Sequence, residues 1–97
     1  MIEIKENKFL RQFETTVDNQ LAFVEFSVQD RKVFLTKIVV PEALLEIHES
    51  FKEQLLIAVL EQLQKQEVRI VPTNSYIKGF IRKNKKYQSM LPVGIRV

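Results

Sequence analysis

The residues around Pro41 constrain the fold more than any others. In IVVPEALLEIHESFKEQ (Ile38–Gln54) a β-branched apolar run stops at a proline and helical spacing takes over. Before the proline, apolar residues recur with a period of two. After it they recur every three or four residues. A chain that changes period once, part-way along, must lay helices on a sheet.

The first 40 residues predict three strands: Phe9–Val17, Leu21–Val28 and Lys32–Val40. Asp18-Asn19 and Gln29-Asp30 suit the intervening turns, because Asp and Asn tolerate left-handed backbone. Ala22, Val24, Phe26 and Val28 share one strand face. The apolar end of the third strand predicts burial on both faces. Together these make an antiparallel meander.

Leu44, Ile47, Phe51, Leu55, Val59 and Leu63 then form one helical stripe, widened by Leu56 and Leu60. Ser50 and Glu53 fit a capping box, which starts the main helix near Ser50 and leaves Pro41–Glu49 as a short helical turn or loop. A continuous helix from Pro41 is the alternative. The helix should end near Gln66. Val68–Val71 reads as a short buried strand closed by Pro72. Strand, helix and strand in this order imply a right-handed crossover with the two strands parallel. Asn74 is placed to cap a last helix, Ser75–Asn84, and the tail SMLPVGIRV is an edge strand or a packed loop.

The expected class is α+β: an antiparallel β-meander, a β-α-β crossover and a C-terminal helix, in one domain over residues 1–97. With no cysteine and one histidine, His48, the chain has no disulfide framework, thiol nucleophile or ordinary zinc site. No apolar run approaches the roughly 18 residues of a membrane span, and the charged start MIEIKENK is unlike a signal peptide. The expectation is a cytoplasmic protein with no membrane partner.

The net charge of +3 conceals a polarity. Residues 1–67 hold 8 basic and 12 acidic side chains, and residues 68–97 hold 7 basic and none acidic. Lys78, Arg82, Lys83, Lys85 and Lys86 form the obvious surface for an anionic partner: a nucleotide-like cofactor or another anionic ligand, a nucleic acid or an acidic protein. Nucleic acid is disfavoured because interleaved exposed aromatics are missing. A solvated basic face is the plain alternative.

Several stretches resemble the short single-domain branch of the GNAT superfamily, the acetyl-CoA-dependent N-acetyltransferases. LAFVEF (Leu21–Phe26) is similar to its second strand. VVPE (Val39–Glu42) and VRIVP (Val68–Pro72) are similar to the strands lining its acetyl-CoA cleft. YIKGFIRKNKKY (Tyr76–Tyr87) is similar to its closing helix. The resemblance implies that Thr36–Val40 and Val68–Val71 splay apart to admit the pantetheine arm of acetyl-CoA. It implies that Val39, Val40, Ser50, Phe51, Lys52 and Asn74 hold this donor, its pyrophosphate lying on backbone N–H groups at the helix N-terminus. Direct attack by an acceptor amine would follow.

The departures from that pattern concern chemistry and leave the apolar framework intact. The family's glycine-rich loop corresponds here to about EIHESFKE, and no glycine precedes Gly79. Phe51 must point away for a diphosphate to approach, and Glu46, Glu49 and Glu53 repel one. The family's His-Thr is Lys37-Ile38, its cysteine is Asn74, its second-strand tyrosine is Phe26 and its His-Pro is Asn84-Lys85.

For catalysis the candidates are Glu25 as base, Asn74 as oxyanion donor and Tyr76 as general acid. Against them stand a solvent-facing charge, a helix cap and a packed ring. His48 reads as a helix-turn residue and Tyr87 as a packed one. The expectation is a GNAT-like acetyltransferase homologue acting on an amine, its acetyl-CoA chemistry lost or altered with the glycine-rich loop. The alternative is a non-enzymatic binding module using the basic C-terminal surface.

Overall fold

The computed structural model describes residues 2–97. Four antiparallel strands come first: β1 (Lys5–Asn7), β2 (Gln12–Val17), β3 (Gln20–Gln29) and β4 (Lys32–Val39). Helix α1 (Glu42–Ile47) and helix α2 (Phe51–Lys65) lead to β5 (Arg69–Pro72). Helix α3 (Ser75–Lys83) and a 3₁₀ helix (Lys85–Met90) close the chain. The sheet runs in sequence order, and β5 pairs parallel with β4. This is the meander and crossover expected from the change of period.

Turn chemistry fixes the register. Asp18 and Asn19 both adopt positive φ, as do Asp30 and Arg31, so each hairpin has a two-residue turn whose twist matches its strands. The second turn therefore lies one residue beyond the expected Gln29-Asp30. β2 starts later than the expected Phe9. The Asn7 side-chain oxygen accepts the Leu10 N–H at 2.9 Å, and Arg11 takes positive φ. Lys8–Arg11 is thus a tight turn to an unexpected strand, β1.

The core lies on one sheet face. Phe13, Ala22, Val24, Phe26, Val33, Leu35 and Ile70 meet Phe51, Leu55, Leu56, Val59, Leu60 and Leu63 of α2. Leu44, Ile77, Ile81, Tyr87 and Met90 complete the cluster, so all four helical segments serve this face. Truncating Leu60, which is fully buried, to alanine would cost about 2–5 kcal/mol. On the opposite face Phe23, Phe34, Val39 and Val71 are half-buried and stand outside the cluster. The third strand's end is therefore partly covered there, and the expected full burial on both faces is not reached.

Two local expectations are corrected. The main helix starts beside Ser50 after a short helical segment, as expected, and the alternative of a continuous helix from Pro41 does not form: the chain breaks at His48, and Ile47, assigned to the stripe, is 67% exposed. The capping box does not form either. The Phe51 N–H donates to the His48 carbonyl at 2.9 Å, and Ser50 sits at φ −93°, ψ 14° with no cap hydrogen bond. Its Oγ instead accepts from Gln54 Nε2 at 2.9 Å. In that backbone conformation the serine hydroxyl is not aimed at the first-turn N–H groups. The tail Leu91–Val97 forms a loop, with Leu91 and Val97 against the core. Among the described residues no helix is long and apolar enough to cross a membrane.

Candidate functional site

The parallel pairing of β4 with β5 is short. Lys32, Val33, Phe34 and Leu35 face Arg69, Ile70, Val71 and Pro72. Pro72 has no N–H to donate, and Thr73 makes the last tie, its N–H donating to the Leu35 carbonyl at 3.0 Å. Beyond it β4 continues to Val39 while the segment after β5 turns into α3. The gap thus opens between Thr36–Val40 and Thr73–Asn74. The expected gap against Val68–Val71 is corrected, because Arg69–Pro72 is hydrogen-bonded to β4. Val39 and Val40, both half-buried, lie at its far end.

A β-bulge marks the same place. Glu25 pairs with Lys37 and Phe26 with Leu35, leaving Thr36 as the extra residue. The Thr36 hydroxyl lies 2.9 Å from Glu25 Oε1, to which it donates, and 3.2 Å from the Glu25 carbonyl. Glu25 is half-buried on the sheet face away from the helices. Its carboxylate therefore stands on the open face of the sheet, one strand removed from the gap, with Thr36 of β4 between them.

The helix side of the gap is built by two N-termini. At α2, Phe51 turns into the core, as close approach of a diphosphate requires. The Lys52 and Glu53 N–H groups have no acceptor among the described residues. Two first-turn donors and the positive end of a 15-residue helix thus remain available to an anion. Glu46, Glu49 and Glu53 are exposed, so water screens their opposing charge. His48, also exposed, ends α1 with its ring 6.4 Å from that of Phe51.

At α3, Asn74 caps as expected: its Oδ1 accepts from the N–H groups of Tyr76 and Ile77 at 2.9 and 3.1 Å. Its Nδ2 group has no acceptor among the described residues. The Lys52 ammonium lies 4.1 Å from the centre of the Tyr76 ring, joining the two N-termini. Burial, then the negative charge of Glu53, raises the Tyr76 pKa. The phenol stays protonated at neutral pH.

The structure brings Lys52, Tyr76 and Asn74 together on the helix side and leaves Glu25 on β3, on the other face of the sheet and beyond β4. It divides the basic cluster. Lys83 joins Tyr76, Gly79 and Phe80 along a groove of about 330 Å³ against α2. Lys78 and Arg82 lie one turn apart on another, exposed side of α3. Lys85 is exposed on the 3₁₀ helix, and Lys86 lies 3.5 Å from a Glu61 carboxylate oxygen. Thr36 enters the sequence expectations only as the start of the gap-lining stretch, without its bulge or its bond to Glu25. A threonine inside a strand carries no signal of a bulge.

A family model for GCN5-related N-acetyl-transferases matches residues 12–90. Among curated proteins none matches the chain. Among solved structures, the chain resembles the NMR solution structure of a GCN5-like candidate N-acetyltransferase from Staphylococcus aureus. The TM-score is 0.63 at 20% identity, with 94% of this chain and 88% of that one covered. At that identity the likeness concerns the fold. The match over residues 12–90 spans the meander, the crossover and the last helix, and the chain belongs to the GCN5-related N-acetyltransferase family.

Proposed function

We propose that the chain binds acetyl-CoA in the gap between β4 and β5 and transfers the acetyl group to an amine. The observation that carries this reading is the coincidence of two features. β4 loses β5 as a partner after Leu35, and the Lys52 and Glu53 N–H groups stand without acceptors at a helix end whose Lys52 reaches Tyr76, just past the end of β5. The residues present fit the donor despite the missing glycines, because Phe51 is turned into the core and Ser50 Oγ is engaged by Gln54.

Bound acetyl-CoA supplies the activated thioester. The exposed backbone of Thr36–Val40 aligns its pantetheine arm, and the first turn of α2, with Ser50, Phe51 and Lys52, holds its phosphates. The amine nitrogen attacks the acetyl carbonyl carbon, the C–N bond forms and the C–S bond breaks. Glu25, oriented by the Thr36 hydroxyl, takes the proton the amine loses. Asn74 Nδ2 donates to the carbonyl oxygen as negative charge develops. Tyr76, held neutral, returns a proton to the departing sulfur.

A second reading treats the fold as a binding module. It is supported by Lys78, Arg82 and Lys85, which are exposed with no carboxylate partner among the described residues. One pair of experiments separates the readings. Titrating acetyl-CoA into labelled protein should shift the amides of Val39, Val40, Ser50, Phe51, Lys52 and Asn74 together, with a Kd below about 100 μM, or roughly −5.5 kcal/mol. Glu25→Gln should leave those shifts intact while lowering kcat/KM for amine acetylation at least about a hundredfold. An absence of shifts at millimolar acetyl-CoA overturns the first reading. Loss of a bound partner on Lys83→Glu with Lys86→Glu would then support the second.

A further inference from the structure

The end of the sheet farthest from the gap has a composition of its own. It gathers the β1–β2 turn, the β3–β4 turn and the start of β5. Phe9 is 92% exposed there, and Leu10 and Val28 are each 52% exposed. The backbone brings these three to one place, because the Phe26 N–H donates to the Arg11 carbonyl at 2.9 Å and Val28 follows two residues later. Lys8, Arg11, Arg31 and Lys32 stand around them, with Arg69 paired beside Lys32. The carboxylates at this end are Asp30 and Glu67, with Glu6 and Glu25 set back along the strands behind the turn.

The apolar tip is held in place. The Asn7 side chain fixes the turn from one side and the Arg11–Phe26 bond from the other. Phe9 is thus presented to solvent by an ordered turn, at the full cost of hydrating an aromatic ring. A ring and two aliphatic side chains on a convex tip, collared by cations, match a fluid surface that is apolar inside and anionic outside.

We propose that this end of the sheet is a peripheral membrane contact. Phe9, Leu10 and Val28 enter the boundary between headgroups and acyl chains, and the surrounding lysines and arginines meet anionic headgroups. A spanning helix is not required. The expectation of no membrane partner rests on the lack of a spanning run and of a signal-peptide pattern, neither of which bears on a peripheral contact. A second copy of the chain fits this end poorly, because it would bring like charges together. Single-stranded nucleic acid fits it poorly as well, since Phe9 is the one stacking surface in the patch. The proposal does not depend on acetyl transfer, because the gap lies at the opposite end of β4.

The chain contains no tryptophan, so Phe9→Trp places a single reporter at the tip. With phosphatidylcholine vesicles containing about one part in three of phosphatidylglycerol, its emission should shift to the blue and the protein should co-sediment at low salt. Phe9→Ser with Leu10→Ser should weaken co-sedimentation of the otherwise native chain at least about tenfold without lowering the melting temperature. Lys8→Glu with Arg31→Glu should weaken it by more than about twentyfold, at about fivefold for each positive charge lost. No co-sedimentation at low salt overturns the proposal. So does co-sedimentation that the double serine variant retains in full. A blue shift produced by single-stranded RNA or by raised protein concentration, and not by vesicles, also overturns it.

Discussion

The Tyr87 hydroxyl donates to a Glu61 carboxylate oxygen at 2.8 Å, tying the 3₁₀ helix to the middle of α2. The Tyr87 ring is buried and packs near Phe80, while Lys86 approaches the same carboxylate from solvent. This pair fixes the last helical segment against the core. The Tyr87 hydrogen bond, more than Lys86, holds the Glu61 pKa below its ordinary 4.5. Burial, then the hydrogen bond to Glu61, pushes the Tyr87 pKa above 10.0.

Tyr87→Phe should therefore cost about 1 kcal/mol near neutral pH, since Glu61 stays partly solvated after losing its donor. Glu61→Gln should cost a similar amount, and the double variant less than the sum. The pH dependence has two edges. Glu61, with a lowered folded pKa, contributes stability above 4.5 that is lost as pH falls through the folded value. Tyr87, with a raised folded pKa, contributes stability below 10.0 that is lost as pH rises through its folded value. Urea melts across pH 3–11 for the four proteins test this, and a coupling that is flat across the acid edge would refute it.

Glu67 adopts φ 57° just past the end of α2, where glycine is the ordinary residue. Arg31 holds φ 64° in the second hairpin. Glu67→Gly and Arg31→Gly should each stabilise the fold by about 0.5–1 kcal/mol, relief of left-handed strain outweighing the added freedom of the unfolded chain. The effects should add, because the substitutions relieve strain in separate turns. Denaturant midpoints measure both.

Asn74 has a cap role and a proposed catalytic role that separate by chemistry. Asn74→Asp keeps an oxygen for the Tyr76 and Ile77 N–H groups and should hold stability within about 0.5 kcal/mol. It removes the Nδ2 donor and should lower kcat by about tenfold to a hundredfold. Asn74→Ala should lower both stability, by about 1 kcal/mol, and kcat. Equal kcat in the aspartate and native proteins would remove Asn74 from the chemistry.

Glu49 and Glu53 oppose an anion at the first turn of α2. Replacing both by glutamine should tighten acetyl-CoA binding by about threefold to tenfold at low ionic strength and much less near 1 M salt, where the screening length is about 3 Å. Calorimetric titration at the two salt concentrations measures the difference.

The order of β2 to β5 and the α2 and α3 core positions are readable because periodicity encodes them, whereas β1, three residues with no apolar alternation, is not. The Asn74 cap was readable because its chemistry is local. Ser50 was misread since the same residues suit a capping box, and only the preceding turn at His48 removes it. The gap was placed one step early, because a strand's apolar residues do not show where its partner departs. Glu25 drew notice by its charge, but its orientation depends on the bulge at Thr36, which arises from register between two strands.

The brief union of β4 with β5 also bears on the order of folding. The meander from Lys5 to Val39 closes through neighbouring hairpins, each needing only a short loop to form. Joining β5 to Lys32–Leu35 requires closing a loop that contains both α1 and α2. The strand that defines the slit is thus expected to join after the meander, on an attachment of four residues. Hydrogen exchange should find the amides of β5 less protected than those of β3. The slit would then open through release of β5 while the central hairpin of the meander stays folded.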